Sequence, residues 1–285
     1  MTGWLIYDKS QYDKNKWFAE KLMSECSQFS DIRLIITENL QFGVCSGKYL
    51  YKYNGEPLAS ADFAISRTIF PFLSCFLEQS GIRVFNSSSV SRLCNDKRAA
   101  YTAAARLGVP IMRTEFYDRK FFNVDFLKNA EYPIIIKSAG GHGGNEVFYV
   151  PDFNEAKKCI SLIKSDDFLA QEICPTVGKD LRVYVLAGKI IGCVLRSSDT
   201  FKSNYSLGGK AEPYSADSNV KNAVEKILTV FEKTPDFIGI DFLIDKDRLI
   251  FNEIEDVVGT RTLYKTSDTD PARLFAEHIR AVLNS

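Results

Sequence analysis

Short apolar runs alternate with amphipathic stretches along the first part of the chain. Four runs rich in Ile, Leu, Val and aromatic residues are predicted strands, and they cover residues 4–8, 32–37, 61–66 and 82–85. Two stretches with apolar side chains at helical spacing, residues 16–26 and 70–79, are predicted helices. Strands that alternate with helices favour a small parallel α/β domain. The first strand is not followed by GxGxxG, so this domain has no dinucleotide-binding fingerprint.

The pattern changes after a polar connection at residues 86–90, where we place a domain boundary. A predicted helix over residues 91–107 has an Ala-rich face and ends at Gly108 and Pro110. Strands dominate the remainder, at residues 132–137, 146–150, 168–173, 179–185 and 189–196. Further helices are predicted over residues 152–164, 220–231 and 271–283. The second part of the chain is therefore richer in strands than the first.

A predicted hairpin over residues 237–255 contains three carboxylates. Asp241 interrupts its first apolar run, and Glu253 and Glu255 follow the second. Residues two apart on a strand share a face, so a register that pairs Asp241 with Glu253 would bring all three together. Carboxylates clustered in apolar surroundings must face water or bind cations, and oxygen ligands suit Mg²⁺. The hairpin alone is compatible with either.

A glycine-rich segment at residues 138–145 directly follows a predicted strand that ends at Lys137. Its glycines leave backbone N–H groups free to approach phosphates. The segment does not match GxxxxGK[ST], so it is not a Walker A loop. A glycine-rich hairpin beside a strand lysine is typical of other ATP-binding sheets, although flexible hairpins without a ligand are also common. The glycines are Gly140, Gly141, Gly143 and Gly144.

Two arginines, Arg182 and Arg196, interrupt apolar strands. A charged side chain is rarely buried without a partner. One interpretation is an exposed edge with a salt bridge to Asp180. The other is a pair of guanidinium groups directed at a phosphate or carboxylate.

Composition excludes several function classes. Lys and Arg total 36 and Asp and Glu total 36, so no net field attracts nucleic acid or a membrane surface. With two histidines and seven cysteines that never form CxxC, a zinc site or a His-based triad is not expected, and the thiols are expected to be reduced. The first residues lack the pattern of a signal peptide, and no apolar run has the length of a membrane span. We expect a soluble cytoplasmic protein.

The order of these motifs resembles the ATP-grasp superfamily and, within it, the RimK-like carboxylate–amine ligases of the glutathione synthetase and ribosomal protein S6 modification type. The resemblance extends from about residue 90 to residue 256. The matching segments are Asp96-Lys97, Ile135–Lys137, Gln171–Ile173, Asp180–Val183, Leu195-Arg196, Lys202–Asn204, Gly208-Gly209, Gly239–Asp241 and Asn252–Glu255.

This resemblance implies an α/β and α+β molecule. An ATP-grasp fold, with two α+β lobes sandwiching ATP, would follow a small Rossmann-like N-terminal domain. The N-terminal domain would comprise residues 1–90 and the ATP-grasp domain residues 91–285. The small lobe would cover about residues 110–172, and the large lobe about residues 173–285 together with the helix at 91–107.

The resemblance also implies roles for individual residues. Lys97 and Lys137 would contact the ATP phosphates, the glycine segment would close over them, and the backbone at Gln171, Glu172 and Ile173 would bind adenine. Asp180 belongs to the same expected nucleotide site. Asp241, Glu253 and Glu255 would hold Mg²⁺ or Mn²⁺. The expected catalytic residues at the γ-phosphate and acyl site are Arg182, Arg196 and Asn204.

The implied reaction is amide formation driven by ATP and Mg²⁺. A carboxylate of a small molecule or peptide attacks the γ-phosphate, giving an acyl phosphate and ADP, and an amine such as an amino acid then displaces phosphate. Two alternatives stay open: a small-molecule kinase and a non-catalytic nucleotide-binding module. A homodimer is the commonest assembly of soluble enzymes. No nucleic-acid or membrane partner is expected.

The chain departs from the family pattern around the expected acceptor site. Glu255 replaces the usual Asn, and Lys202 replaces an arginine, which keeps the charge but loses the planar fork. A distinct segment at residues 256–264 replaces a Pro-Gly turn. Arg67, Lys202 and Arg261 are therefore our candidates for substrate binding. For Arg261, a surface position is an equally good interpretation.

Overall fold

The computed structural model describes residues 1–140, 146–198 and 209–285. The N-terminal part contains two sheets. Strands β1, β2, β6 and β7 form a parallel sheet in the order β2-β1-β6-β7, and the short strands β3, β4 and β5 form a separate antiparallel sheet. The elements are β1 (Thr2–Tyr7), α1 (Lys9–Cys26), β2 (Asp31–Ile36), β3 (Leu40–Cys45), β4 (Lys48–Tyr53), β5 (Glu56–Pro57), β6 (Phe63–Ser66), α2 (Pro71–Gln79) and β7 (Arg83–Phe85).

The parallel α/β arrangement over the first ninety residues agrees with the prediction, whereas the small antiparallel sheet was not predicted. Its turns contain Ser46-Gly47 and Asn54-Gly55, and all four of these residues have positive φ. Asn-Gly between two short strands is a strong hairpin signal. That signal was available in the sequence, but the lysines and tyrosines of β4 obscured the alternation of apolar and polar residues.

The helix predicted over residues 91–107 is two helices, α3 (Ser88–Cys94) and α4 (Lys97–Arg106). The helical conformation is interrupted at Asp96, whose backbone is extended. The Asp96 side chain caps the second helix by accepting a hydrogen bond from the Arg98 backbone N–H. The polar connection at residues 86–90 is also not an exposed linker, because Asn86 and Ser88 are buried. Its serines begin α3 instead.

In the described part of the chain after α4, two antiparallel sheets are flanked by helices. The smaller has the order β10-β9-β11-β8, and the larger has the order β14-β13-β12-β15-β16. The elements of the first group are β8 (Thr114–Asp118), β9 (Ile134–Ser138), β10 (Val147–Val150), α5 (Phe153–Leu162) and β11 (Asp167–Glu172). Those of the second are β12 (Lys179–Leu186), β13 (Lys189–Ser197), β14 (Lys210–Pro213), α6 (Ser218–Leu228), β15 (Phe237–Asp245), β16 (Arg248–Glu255), α7 (Arg261–Thr266) and α8 (Pro271–Leu283).

The β15–β16 hairpin has the register that places Asp241 opposite Glu253, as predicted. The register shifts directly beyond this pair, because Phe242 pairs with Phe251 and leaves Asn252 as an extra residue. Such a bulge twists the strand locally and redirects the side chains next to it. The hairpin therefore combines an apolar core strand with a polar end.

One hydrophobic core joins the N-terminal sheet to the end of the chain. Leu5 and Phe63 of that sheet pack in the same cluster as Phe237 of β15 and Phe275 of α8. A second core lies under the large sheet and includes Tyr101 of α4. None of the helices in the described ranges is long and apolar enough to cross a membrane. All seven cysteines are free thiols.

Candidate active site

Three carboxylates converge at the polar end of the β15–β16 hairpin. One oxygen from each of Asp241, Glu253 and Glu255 lies within 4.8 Å of the other two. Asp241 is 1% exposed, whereas the two glutamates are partly exposed. The hairpin register and the period of two on β16 together produce this cluster, as the sequence predicted.

Both predicted arginines face the cluster from the neighbouring strands of the same sheet. Arg182 lies opposite Asp241 across β12 and β15 and binds it with two hydrogen bonds, Nε to Oδ1 at 2.8 Å and Nη2 to Oδ2 at 2.6 Å. The same Nη2 is 2.7 Å from Glu255 Oε1. Arg196 Nη2 donates to Asp241 Oδ2 at 2.7 Å, and the Arg196 guanidinium also pairs with Asp180. Acids and guanidinium groups therefore alternate in one row, which is buried except at Glu255.

This row changes the interpretation of Arg182. For both arginines the sequence left open a salt bridge to Asp180 on an exposed edge. The structure forms this salt bridge with Arg196, but Asp180, Arg182 and Arg196 are all buried, so the edge is not exposed. Asp180 was expected at the nucleotide site, and in the structure its carboxylate orients Arg196 through Nε at 3.0 Å. A buried charge with one partner removed is strongly unfavourable, so each member of the row depends on its neighbours.

Two lysines approach the cluster from outside the large sheet. Lys97, the first residue of α4, places Nζ 3.4 Å from Glu253 Oε2. Lys137, on β9 of the smaller sheet, donates to the Tyr101 hydroxyl at 2.9 Å and to Asn252 Oδ1 at 3.4 Å. The Lys97 backbone N–H donates to Ala139 O at 3.0 Å, which joins the start of α4 to the strand end before the glycine segment. The structure thus places the two predicted lysines beside the predicted carboxylates.

Tyr101 and Asn252 are parts of the site that the sequence interpretation missed. The Tyr101 hydroxyl donates to Asn252 O at 2.6 Å, and the bulge at Asn252 leaves that group available for the bond. Gln171 Nε2 also reaches the Tyr101 hydroxyl, at 3.4 Å. The spacing of Tyr101 four residues after Lys97 on one helix face was a usable signal. Nothing local predicted the bulge.

Burial and neighbouring charges set the protonation of these groups. Burial raises the pKa of Asp241, but Arg182 and Arg196 outweigh it and hold that pKa at about 2. Burial also raises the pKa of Glu255, and Arg182 opposes this only in part. For Lys137, burial lowers the pKa to about 8, against the opposing effect of Glu253. Asp241 is therefore ionised near pH 7, and Lys137 is charged there but close to its titration range.

The other residues expected at the nucleotide site either lie on or after β11 and β9 or fall outside the described residues. The Gln171 side chain is buried and donates to Thr114 Oγ1 at 2.8 Å, and Glu172 lies at the end of β11 with Ile173 following it. Gly140 is exposed at the end of the described segment. The expected residues Gly141, Gly143, Gly144, Lys202 and Asn204 lie outside the described residues.

The two remaining substrate candidates occupy different surroundings. Arg261 is exposed at the start of α7, and within the described ranges no hydrogen bond or ion pair joins it to the carboxylate cluster. Arg67 is 5% exposed and donates through Nη2 to Val258 O at 2.7 Å. It therefore contacts the segment after β16, in which this chain departs from the family pattern.

The fold corresponds to that of ATP-grasp enzymes. A D-alanyl-alanine synthetase A from Vibrio cholerae matches with a TM-score of 0.76 over 100% of this chain and 99% of its own, at 14% identity. A RimK domain ATP-grasp protein from Sphaerobacter thermophilus matches with a TM-score of 0.73 over 98% and 100%, at 16% identity. These structures establish the ATP-grasp fold that the motif order implied.

The family model of the RimK-like ATP-grasp domain matches residues 94–279, and the chain belongs to this family. A glutamate–LysW ligase of Sulfurisphaera tokodaii is 24% identical over 94% of each chain. The human beta-citrylglutamate synthase B is 26% identical over 91% of this chain and 71% of its own. The sequence-based identification of an ATP-grasp, RimK-like ligase family is therefore confirmed.

Proposed function

We propose that this chain is an ATP- and Mg²⁺-dependent carboxylate–amine ligase that forms an amide through an acyl phosphate. The observation that carries the proposal is the meeting of four cationic and four acidic side chains at the polar end of the β15–β16 hairpin. They come from α4 and from the two antiparallel sheets that follow it in the chain. The cations are Lys97, Lys137, Arg182 and Arg196, and the acids are Asp180, Asp241, Glu253 and Glu255.

This inventory suits phosphoryl transfer, which needs positioning and charge neutralisation more than a protein nucleophile. Lys97 and Lys137 would hold the ATP phosphates, and Arg182 and Arg196 would face the charge that develops as the substrate carboxylate attacks the γ-phosphate. Asp180 and Tyr101 keep Arg196 and Lys137 in place through the hydrogen bonds already described. No Ser, Cys or His nucleophile is required.

Asp241, Glu253 and Glu255 fit a magnesium site, because oxygen-only ligands at this spacing suit a hard cation. Bound Mg²⁺ would neutralise charge on the ATP phosphates. Glu255, in place of the family Asn, adds a negative charge there, and Arg182 compensates it at 2.7 Å. Mn²⁺ has the same ligand preference.

The substrates in this proposal are a small-molecule or peptide carboxylate and the amine of an amino acid. The names of two relatives, a glutamate–LysW ligase and a beta-citrylglutamate synthase, both include glutamate. Glutamate is therefore the first amine to test. A cytoplasmic location, a homodimer and the division into residues 1–90 and 91–285 are parts of the same proposal.

The test is ADP release with Mg²⁺ and pooled amino acids, peptides and dicarboxylates, followed by mass spectrometry of the products. Hydroxylamine in a parallel reaction would trap the acyl phosphate as a hydroxamate. ADP with a hydroxamate or a dehydrated conjugate is the expected result. A phosphorylated product without hydroxamate would instead identify a kinase, and tight ATP binding without turnover of any pool would favour the non-catalytic module.

Asp241→Asn is the matched variant for this assay. It removes a charge that two buried guanidinium groups share, so we expect turnover to fall at least about a hundredfold. The free energy of unfolding should fall by about 3–5 kcal/mol. Asp247→Asn, in the exposed turn of the same hairpin, should change neither. Equal turnover in the two variants would contradict the assignment of Asp241.

A further inference from the structure

One buried cation of the described residues, Arg67, lies outside the carboxylate cluster. The buried cationic side chains of the described ranges are Arg67, Lys97, Lys137, Arg182 and Arg196. Three of them have an ion pair within 4.0 Å, whereas Arg67 and Lys137 have none in the described part of the chain. Lys137 is the lysine for which we already propose a phosphate partner. Arg67 has a comparable need for an anion.

Two polar groups at the Arg67 position lack a hydrogen-bond partner in the described structure. The Arg67 Nε and the hydroxyl of Tyr7 are both buried, and neither has a hydrogen-bond partner of good geometry among the described residues. The two groups are neighbours, since burial raises the pKa of the Tyr7 hydroxyl and Arg67 opposes this. Phe18 covers the guanidinium, with the ring centroid 5.2 Å away. Asp256, in the following segment, accepts from Asn95 at 2.9 Å and forms no ion pair with Arg67 within 4.0 Å. Burial raises the pKa of its carboxyl, and Arg67 is among the groups that oppose this from a longer distance. Buried polar groups in native proteins normally have partners, so an orphaned pair indicates a missing one.

The topology of the N-terminal sheet places this pair where ligands bind in parallel sheets. Tyr7 is the last residue of β1, and Arg67 directly follows β6, its neighbour in the sheet. From β1 the chain continues to β2 on one side, and from β6 it continues to β7 on the other. The crevice outside the carboxyl ends of two such strands is a topological switch point, the usual ligand position in open α/β sheets.

Arg67 is also connected to the candidate active site. Arg67 donates a hydrogen bond to the carbonyl oxygen of Val258. The Val258 side chain in turn lies against Gly239, next to Arg182: a Cβ added to Gly239 would be 2.5 Å from the Val258 side chain and 3.9 Å from Arg182 Cδ. Val258 follows Glu255 by three residues, so their Cα atoms are at most about 11 Å apart. Arg67 and the carboxylate cluster therefore adjoin the same short segment after β16.

We infer that Arg67, with the Tyr7 hydroxyl, binds a carboxylate of the substrate that does not react. This inference rests on the proposed ligase function and names a recognition group for it. A guanidinium is the side chain best suited to bind a carboxylate with two hydrogen bonds. The carboxylate belongs either to the amino acid that supplies the amine or to a dicarboxylic acid that is activated at its other end.

The experiment compares Arg67→Gln and Arg67→Lys with Arg83→Gln. Arg83 is a suitable control, because it also joins the N-terminal sheet to the start of β15, through Asp236 at 2.9 Å. The probes are glutamate and succinate, each paired with its amide, glutamine or succinamate. The readouts are kcat and KM for each probe, ATP binding, and the urea midpoint.

We expect Arg67→Gln to raise KM for one carboxylate probe by about 10- to 150-fold, which corresponds to a charge-assisted hydrogen bond of about 1.5–3 kcal/mol. The preference of the wild type for that probe over its amide should disappear, Arg67→Lys should be intermediate, and ATP binding should not change. An effect on glutamate identifies the amine as the source of the carboxylate, and an effect on succinate identifies the acid. Arg83→Gln should lower only the urea midpoint.

The inference is overturned if Arg67→Gln behaves like Arg83→Gln. Both variants would then be less stable, with an unchanged KM and an unchanged preference for the carboxylate probe over its amide. Arg67 would in that case be only a structural link. Failure of the proposed function is a separate outcome, namely no turnover by the wild type. In that case, calorimetric titration of glutamate and succinate in the presence of Mg²⁺ and ATP tests whether Arg67 binds a carboxylate. Binding that Arg67→Gln abolishes supports the site, and a wild type that binds neither probe rejects it.

Discussion

The pKa values of single residues in this protein depend on neighbours that are distant in sequence. Lys137 is an ordinary strand lysine in sequence, but in the structure it is 5% exposed and lies between Tyr101 and Asn252. Burial disfavours its charged form and brings its pKa to about 8. In contrast, Asp241 is held ionised by two guanidinium groups. The residue scale is therefore where pH dependence is determined.

We predict that ATP affinity decreases as the pH rises through about 8. Lys137 is charged below its pKa, so its attraction for phosphate is present at pH 7 and is lost at higher pH. The affinity for a non-hydrolysable ATP analogue with Mg²⁺ should be constant between pH 6 and 7.5 and then fall by up to about tenfold per pH unit. Calorimetric titration across this range is the measurement.

Lys137→Arg is the matched variant, because a guanidinium stays protonated throughout this range. Its affinity should be nearly independent of pH even if it is weaker at pH 7. A wild-type affinity that stays constant up to pH 9.5 would show that Lys137 does not titrate in the binding step.

At the scale of elements, the β15–β16 hairpin and the segment after it act as one unit. Val258 packs on Gly239, Tyr184 of β12 donates to Gly259 O at 3.0 Å, and Asn95 holds Asp256. The segment after β16 is thus fixed to the large sheet at several points. Because Gly239 pairs with Glu255, a shift of this segment would be transmitted to the carboxylate cluster.

We predict that Gly239→Ala lowers both stability and turnover. The new methyl group would lie 2.5 Å from Val258 Cγ2 and 3.2 Å from Val258 Cβ, so the segment must move away from the strand. Such overpacking costs about 1–3 kcal/mol, measured as the free energy of unfolding in urea. Gly43→Ala, at a strand position where no atom lies within 4 Å, should stay within about 0.5 kcal/mol. Equal stability of the two variants would contradict this packing argument.

At the scale of the whole molecule, the N-terminal sheet and the C-terminal half are joined by a shared core and by buried polar links. One of these links is the buried side chain of Asn86. Its side chain accepts from the backbone N–H groups of Asp236 at 2.7 Å and Phe237 at 3.0 Å, and donates to Phe237 O at 2.6 Å and Asp256 O at 3.2 Å. We therefore expect the chain to unfold in one cooperative transition, unlike a protein with two independent domains.

We predict that Asn86→Ala lowers the free energy of unfolding by at least about 2 kcal/mol, because it leaves buried backbone groups unpaired at about 1–3 kcal/mol each. Asn219→Ala, at an exposed position on α6, is the control and should change it by less than about 0.5 kcal/mol. Urea unfolding followed by both circular dichroism and fluorescence is the measurement. Two separate transitions in the wild type would show that the shared core does not couple the halves.

The sequence by itself determined most of the elements and the composition of the carboxylate cluster. Strand and helix periods are local, so the parallel N-terminal sheet, the hairpin and the terminal helix Pro271–Leu283 could be predicted from them. The order of short motifs also identified the family. Exceptions such as the division between α3 and α4 depended on one capping side chain, Asp96, whose effect is weak in an Ala-rich sequence.

Only the tertiary structure decided which charges are partners. Arg182 and Asp241 are 59 residues apart, Tyr101 and Asn252 are 151 apart, and Arg67 and Val258 are 191 apart. A periodic pattern extends over a few residues and contains no information about such pairs. The sequence therefore showed that arginines, lysines and acids were present. The packing of the sheets paired several of them in one site and left Arg67 without an ion pair among the described residues.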